Sequence, residues 1–289
     1  MAQEKRTNNF FEEPHGNNDV YKFNKTHPNR QEVRDYCSKL LEHHWSYCGD
    51  NHFQQEAVEN PQQRWWEMYL SWVLFKIGGF NGQIVEGEGP DFCIVLPNKK
   101  KIWIEAIAVK VGTGENEVQR PPSGQAGSLP TDKMVLRFTS AFSDKAKKID
   151  SYISKGIIGK EDAVMIAINT GEMRDSDLAD QYPPLAVRSL LGIGDAAFKV
   201  SVHLGDEALK TDDVEMVFPQ QTTVKKNEKT AISTQGFLNN TVISGVFTST
   251  RHLVDMMDTG KDLKILLNPK AQNPLDKDIF KFGTVININ

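Results

Sequence analysis

Two short apolar runs on either side of a polar turn give the clearest hydrophobic pattern in the chain. They cover residues 91–96 and 102–109, and the turn between them contains three consecutive lysines. Runs rich in β-branched side chains around such a turn predict a β-hairpin. Each run carries one acid, Asp91 or Glu105, and alternation places Glu105 on the same face as Trp103. Glu105 is therefore not expected to lie on a simple solvent-exposed face.

A helical pattern ahead of the hairpin predicts a buried helix. Asn60 is its N-cap candidate, Pro61 its first residue, and the glycine pair at 78–79 its stop. Apolar side chains cover nearly the whole circumference, which is typical of a helix enclosed by other elements. Its only acid, Glu67, lies beside an apolar stripe and needs a cation or a raised pKa. A salt bridge to Arg64 or to a more distant basic residue is the alternative to a role in a site.

A longer amphipathic pattern predicts a third helix from about residue 131 to about residue 155. Lys145 falls near the centre of its apolar stripe, whereas Lys147 lies on the opposite face and Lys148 on a flank. A lysine at the centre of such a stripe either extends its amine to solvent or meets a buried anion. Both interpretations remain open for Lys145.

The remaining segments are assigned more briefly. Residues 29–48 predict an amphipathic helix with a capping box formed by Asn29 and Glu32, and the adjacent His43 and His44 are expected at the surface. A long loop is predicted over 112–130 and a basic hairpin tip over 225–229. Further strands and one short helix are predicted at 163–168 (a buried central strand), 185–191 (the helix), 198–204, 241–248 and 263–267.

These elements predict a polar N-terminal tail or strap over residues 1–28, followed by one α/β domain over residues 29–289. Its core is expected at about 61–169, with a C-terminal elaboration over 170–289. Residues 1–28 contain too few aromatic side chains to form a core of their own.

Composition narrows the functional classes. With 289 residues, a formal charge of −4 and 39% hydrophobic residues, the chain has a sizeable core and no global basic field, so any nucleic-acid contact must be local. No apolar run approaches the ~18 residues that a membrane span needs. Three cysteines without a CxxC pair, and no signal peptide, indicate reduced thiols and a cytoplasmic location.

The order of the elements suggests one chemical site. Glu67, Asp91 and Glu105 lie on consecutive elements, followed by Lys145 on the next helix. Carboxylates that face one point suit a hard divalent cation such as Mg²⁺ or Mn²⁺, completed by water ligands. Such an ion can activate a water molecule and stabilise charge on a phosphodiester.

Gly-Pro-Asp91-Phe, a short spacer and Ile-Glu105-Ala-Ile resemble the signature of the PD-(D/E)XK nuclease superfamily. The resemblance covers residues 61 to about 169. It implies a restriction-endonuclease-like fold, a mixed central sheet flanked by helices, here with additional C-terminal strands. It also implies metal ligands at Asp91, Glu105 and the backbone carbonyl of Ala106, with Glu67 as a further ligand.

One position departs from the family pattern. The family's lysine, two residues after the second acid, is replaced by Ile107, which cannot stabilise a hydroxide or a phosphate oxygen. Lys145 is the first candidate for a migrated lysine and Lys110 the second, although Lys110 lies on the opposite strand face from Glu105. The expected function is metal-dependent hydrolysis of nucleic-acid phosphodiesters by Asp91, Glu105 and Lys145.

Two alternatives stay open. A non-catalytic relative, kept as a binding or structural module, is favoured by Ile107 and by the acidic net charge. A hydrolase of another class, using paired carboxylates as acid and base, is the third possibility. The chain contains no P-loop, nucleophile elbow, zinc-type cluster or dinucleotide-binding loop.

Overall fold

The structure is a computed structural model of the 289-residue chain. It describes residues 7–13, 16–119, 125, 127–173, 175–181, 183–200, 214–256 and 259–287. No helix in this part of the chain is both long enough and apolar enough to cross a membrane.

The fold is mixed α/β, with helices flanking a central sheet. The described α-helices are α1 (Asp19–Thr26), α2 (Gln31–His44), α3 (Phe53–Ala57), α4 (Pro61–Ser71), α5 (Thr131–Ser154), α6 (Ser176–Ala179), α7 (Leu185–Leu191) and α8 (Gly236–Asn239). The described strands are β1 (Asn81–Gln83), β2 (Phe92–Val95), β3 (Lys101–Ala108), β4 (Ala163–Asn169), β5 (Ala197–Val200), β6 (Val214–Val217), β7 (Thr223–Lys226), β8 (Thr230–Ser233), β9 (Gly245–Ser249), β10 (Lys264–Leu267) and β11 (Thr284–Ile286).

Seven strands form the central sheet in the order β1-β2-β3-β4-β9-β10-β11. The first three pair antiparallel, β3 to β4 and β4 to β9 pair parallel, β9 to β10 antiparallel, and β10 to β11 parallel. Because β3 and β4 run parallel, the chain must cross over between them, and α5 lies in that crossover. Two small hairpins, β5-β6 and β7-β8, stand apart from the sheet.

The predicted hairpin of β2 and β3 is confirmed. Phe92 pairs with Ile104 and Val95 with Lys101, and Lys99 takes a left-handed φ of 66° in the turn. Alternation along β3 divides its side chains between two cores, as predicted. Ile104 and its even-numbered neighbours join the core that contains α2 and α4, whereas Trp103 and its odd-numbered neighbours face the core beneath α5 and α7.

The two helices that flank the hairpin also follow the predicted pattern. Pro61 begins α4, a π-helical segment over Trp72–Ile77 extends it, and Gly79 ends it with a φ of 67°. The predicted N-cap position is confirmed at Asn60, but its side chain makes no capping bond and instead accepts a hydrogen bond from Lys110 Nζ at 2.6 Å. The predicted long helix is confirmed as α5, Thr131–Ser154.

Several predictions further along the chain are confirmed. Every residue of β4 is buried, as expected of a central strand, and Gly192 ends α7 with a φ of 67°. The basic tip at 225–229 joins β7 to β8. The strand predicted over 198–204 begins as β5, but residues 201–204 lie outside the described residues, as do 120–124 and 126 of the predicted loop.

The N-terminal third departs most from expectation. The capping box at Asn29 is wrong, because a 3₁₀ turn over Pro28–Arg30 precedes α2 and Arg30 precedes its first residue without a side-chain cap. His44, expected at the surface, is buried and its Nδ1 lies 3.1 Å from Ser71 Oγ.

The described part of the predicted tail contributes to the main core. It contains helix α1 and buries three aromatic side chains among the apolar residues of α2 and α4. These side chains are Phe10, Phe11 and Tyr21. Of the two predicted alternatives, a free tail and a strap lying on the domain, the contacts fit the strap.

Candidate functional site

Glu105 is the most deeply buried acid at the site. It occupies the middle of β3, where alternation directs it toward α5, and its exposed fraction is 0%. Lys145 Nζ lies 2.6 Å from Glu105 Oε1, and Lys148 Nζ lies 2.8 Å from the same oxygen. Lysines three residues apart share one side of a helix, so α5 presents both amines to a single acid.

The two oxygens of Glu105 have different surroundings. Oε1 accepts both ammonium groups, whereas Oε2 is buried and has no hydrogen-bond partner among the residues that the structure describes. A buried carboxylate oxygen without a donor or cation is costly. Oε2 is therefore the atom at this site that most clearly needs a ligand.

Asp91 is the residue immediately before β2, and its carboxyl group interacts electrostatically with that of Glu105. Its Oδ2 accepts a hydrogen bond from the Ala106 backbone N–H at 2.6 Å, which fixes the carboxylate against the hairpin. Burial, together with the neighbouring carboxylates of Glu105 and Glu67, raises the pKa of Asp91 to about 8, against the opposing effect of Lys145. The surroundings of Asp91 thus favour its protonated form.

Glu67 is held from both sides by residues of its own helix. Its Oε2 lies 2.6 Å from the Arg64 guanidinium, and its Oε1 accepts a hydrogen bond from Gln63 Nε2 at 2.7 Å. Arg64 also pairs with Asp50 at 3.2 Å and with Glu56. Both oxygens of Glu67 therefore have partners.

Gln63 connects this helix to the hairpin. Its Oε1 accepts the backbone N–H of Ala108 at 2.5 Å, and its Nε2 approaches the Ala106 carbonyl oxygen at 3.4 Å. Ala106 therefore contacts Asp91 through its N–H and Gln63 through its carbonyl. This peptide position links the two sides of the site.

A cleft of about 380 Å³ opens next to these side chains. Its walls come from the segment around α3, from α4 and from the glycine-containing loop before β2. Arg64, Glu67 and Asp91 line it, together with His52 and Gly89. Solvent and small ligands therefore have access to Asp91 from the α4 side of the sheet.

Lys148 also contacts Tyr152, one turn further along the same helix. Its amine lies 5.5 Å from the centre of the Tyr152 ring and donates a hydrogen bond to the Tyr152 hydroxyl. Burial lowers the pKa of Lys148, but the hydrogen bond and charge of Glu105 outweigh it and raise the pKa overall. Lys148 is therefore a cation at neutral pH.

The structure brings some of the predicted residues together and pairs others elsewhere. Lys145 meets Glu105, which resolves its two interpretations in favour of a buried anion. Glu67 forms the salt bridge to Arg64 that was the alternative to a site role. Lys110, the second lysine candidate, is bonded to Asn60.

Sequence reasoning missed two residues that contact the acids, Lys148 and Gln63. Lys148 was placed on a flank of its helix, yet its amine reaches Glu105. Its spacing of three residues from Lys145 was the signal that could have identified it.

The residues fit a divalent cation through Asp91 and Glu105. Mg²⁺ commonly takes one or two carboxylates and completes its shell with water or substrate phosphate, and Glu105 Oε2 is an unsatisfied ligand atom. In the part of the chain that the structure describes, no group of three His, Cys, Asp or Glu side chains could hold a metal ion. A divalent cation at this site would therefore depend on two acidic side chains, those of Asp91 and Glu105.

No family model, curated protein or solved structure matches this chain.

Proposed function

We propose that this protein hydrolyses phosphodiester bonds in nucleic acid with the help of a divalent metal ion, Mg²⁺ or Mn²⁺. The observation that carries the proposal is the state of Glu105. It is completely buried, two amines bind one of its oxygens, the other oxygen has no described partner, and the carboxyl group of Asp91 adjoins it. Maintaining such an arrangement is costly unless a ligand completes it.

The fold supports a restriction-endonuclease-like core. A helix with Glu67, an antiparallel strand pair with Asp91 and Glu105, a crossover helix with Lys145 and a parallel buried strand follow one another in the chain. The mixed sheet flanked by helices agrees with the architecture that the PD-(D/E)XK resemblance implies. The three cysteines are buried and unbonded, which supports the proposed cytoplasmic location.

In this proposal each residue has a defined task. Asp91, Glu105 and the Ala106 carbonyl would hold the ion, which when bound acidifies water and stabilises negative charge. The Ala106 N–H fixes Asp91, and Lys145 holds Glu105 in place. Lys145 would also supply the amine that Ile107 cannot. The water oxygen would bond to phosphorus and release a proton to solvent, the bond to the leaving oxygen would break, and that oxygen would take a proton from solvent.

Calorimetric titration with Mn²⁺, combined with cleavage of labelled DNA and RNA, tests the proposal. We expect the protein to bind Mn²⁺ and to cleave at least one substrate, and we expect Asp91→Asn to lose both properties while remaining folded. The control is Asp144→Asn, an exposed acid on α5. Absence of both Mn²⁺ binding and cleavage in the unmodified protein would overturn the proposal.

One observation favours the alternative, a non-catalytic module. Two ammonium groups on Glu105 already neutralise its charge, so the cluster could serve as a structural ion-pair network. In that case, Mn²⁺ at millimolar concentration would leave the melting temperature unchanged. A bound ion instead raises it by mass action.

A further inference from the structure

The two lysines on Glu105 differ in their access to solvent. The side chain of Lys145 is 16% exposed, and that of Lys148 is 47% exposed, although their amines share one oxygen. On the premise of the proposed phosphodiesterase activity, we infer that Lys145 holds Glu105 permanently, while Lys148 leaves it to bind a phosphate oxygen of the nucleic acid.

The geometry permits Lys148 to move without leaving Glu105 unpaired. When Lys148 leaves, Oε1 keeps the Lys145 ammonium at 2.6 Å, so the buried carboxylate oxygen still has a cation. If Lys145 left instead, a mostly buried amine would need a new anion inside the protein. The lysine side chain is a flexible four-carbon stem with rotatable donors, which suits such a transfer.

Tyr152 contacts the amine of Lys148 beside Glu105. The Tyr152 hydroxyl accepts a hydrogen bond from Lys148, and the aromatic ring is itself almost completely buried. The hydroxyl therefore provides a second fixed neighbour for the amine, in addition to Glu105. Tyr152 is a positioning residue in this arrangement, and Lys148 is the group that contacts substrate.

The charges around the site explain why a movement of Lys148 would help phosphate to bind. The carboxylates of Glu105 and Glu67 would repel an approaching phosphate, and the charges of Lys145 and Arg64 are already paired with these two acids. A half-exposed amine at the same site can offset that repulsion where the substrate arrives. We therefore expect Lys148 to supply the amine that contacts the phosphate.

Binding measurements in a cleavage-deficient background test the division between the lysines. Fluorescence anisotropy would follow a labelled 20-base-pair DNA duplex and a labelled single-stranded RNA with Asp91→Asn alone and combined with Lys148→Ala. We expect Lys148→Ala to weaken binding about tenfold and to reduce the slope of log affinity against log salt by the value for one phosphate contact, about 0.9 for the duplex and about 0.7 for the single strand.

The matched control is Lys147→Ala, which removes an equal charge from the adjacent position. Lys147 is 79% exposed and lies near Asp144, away from Glu105, so its loss should change the affinity less than twofold. Lys148→Arg should keep most of the affinity because it retains the cation. In the otherwise unmodified protein, Lys148→Ala should raise KM while Mn²⁺ binding stays unchanged.

The outcomes separate this inference from the proposed function. Equal effects of Lys148→Ala and Lys147→Ala on both nucleic acids, or no binding to either by the parent, would overturn the Lys148 contact even if the protein cleaves its substrate. A protein that neither binds Mn²⁺ nor cleaves would overturn the phosphodiesterase proposal. A lysine-dependent difference in binding would then still support the phosphate contact.

Discussion

Glu67 and Glu105 are both buried acids paired with basic side chains, yet their surroundings differ in kind. Arg64 and Gln63 satisfy the two oxygens of Glu67 separately. At Glu105, two amines converge on one oxygen and the other has no described partner. The first arrangement is complete within the protein, and the second leaves a ligand atom available.

The difference distinguishes a stabilising ion pair from a binding site. Burial and charge alone made the two acids look alike in the sequence, and only the count of partners at each oxygen separates them. Arg64 bridges Glu67 to Asp50 and Glu56, so it joins α4 to the segment around α3. Glu105 instead interacts electrostatically with Asp91, an acid whose pKa is raised.

Paired substitutions would show the largest contrast. We expect Glu105→Gln to lower the cleavage rate about 10³-fold or more, because it removes an ion ligand, and Glu67→Gln to lower it less than tenfold. In urea unfolding, Glu105→Gln should cost about 2–4 kcal/mol, since two amines lose their anion. Glu67→Gln should cost about 1 kcal/mol, because Arg64 keeps two other acids.

Both variants preserve side-chain size, so each serves as the control for the other. Equal loss of cleavage in the two would contradict the contrast and would restore Glu67 as a metal ligand.

The raised pKa of Asp91 makes stability depend on pH. Between about pH 4 and pH 8 the folded protein keeps the Asp91 proton that the unfolded chain has lost, so this residue's contribution to stability falls as pH rises through that window. In EDTA, Asp91→Asn should therefore be more stable than the unmodified protein at pH 8, by on the order of 5 kcal/mol. The two should be equally stable near pH 4.

Urea unfolding at several pH values measures this difference. The exposed Asp144→Asn should show no such trend. A variant at Asp91 that is less stable at pH 8 than the unmodified protein would show that the neighbouring carboxylates do not dominate its environment.

The smallest expected effect concerns Ile107, which lies on the same strand face as Glu105. Lys145→Ala should reduce cleavage, and adding Ile107→Lys to that variant should recover about tenfold of the rate by returning an amine to this face. Steady-state cleavage kinetics of the single and double variants provide the measurement. Ile107→Met, which adds length without charge, is the control, and recovery by methionine would rule out a role for the amine.

The predictable parts of the fold have strong periodic signals. The alternation in β3 assigned its two faces, and the apolar stripe of α5 placed Lys145 toward a buried anion. These patterns reflect the local geometry of strands and helices, so they can be deduced from the sequence alone. The site residues on them were therefore accessible to prediction.

The errors arose where distant residues determine the outcome. The Asn60 side chain does not cap α4, because it accepts a hydrogen bond from Lys110, which lies fifty residues away in the sequence. His44 is buried because Ser71 and α4 cover it, and Phe10 and Phe11 are buried by helices that follow them in sequence. Lys148 reaches Glu105 because its stem is long enough to extend from the flank of α5. Such contacts depend on tertiary packing, which single-sequence periodicity does not specify.

The alternation in β3 has a consequence for folding as well as for chemistry. If the β2-β3 hairpin formed one residue out of register, Glu105 would turn toward the core containing Trp65 and Trp66, and Ile104 would face the lysines. An unpaired carboxylate in that apolar core would cost several kcal/mol. Misaligned hairpins would therefore be short-lived intermediates, and the same acid that equips the site for a ligand would also select the correct strand alignment while the chain folds.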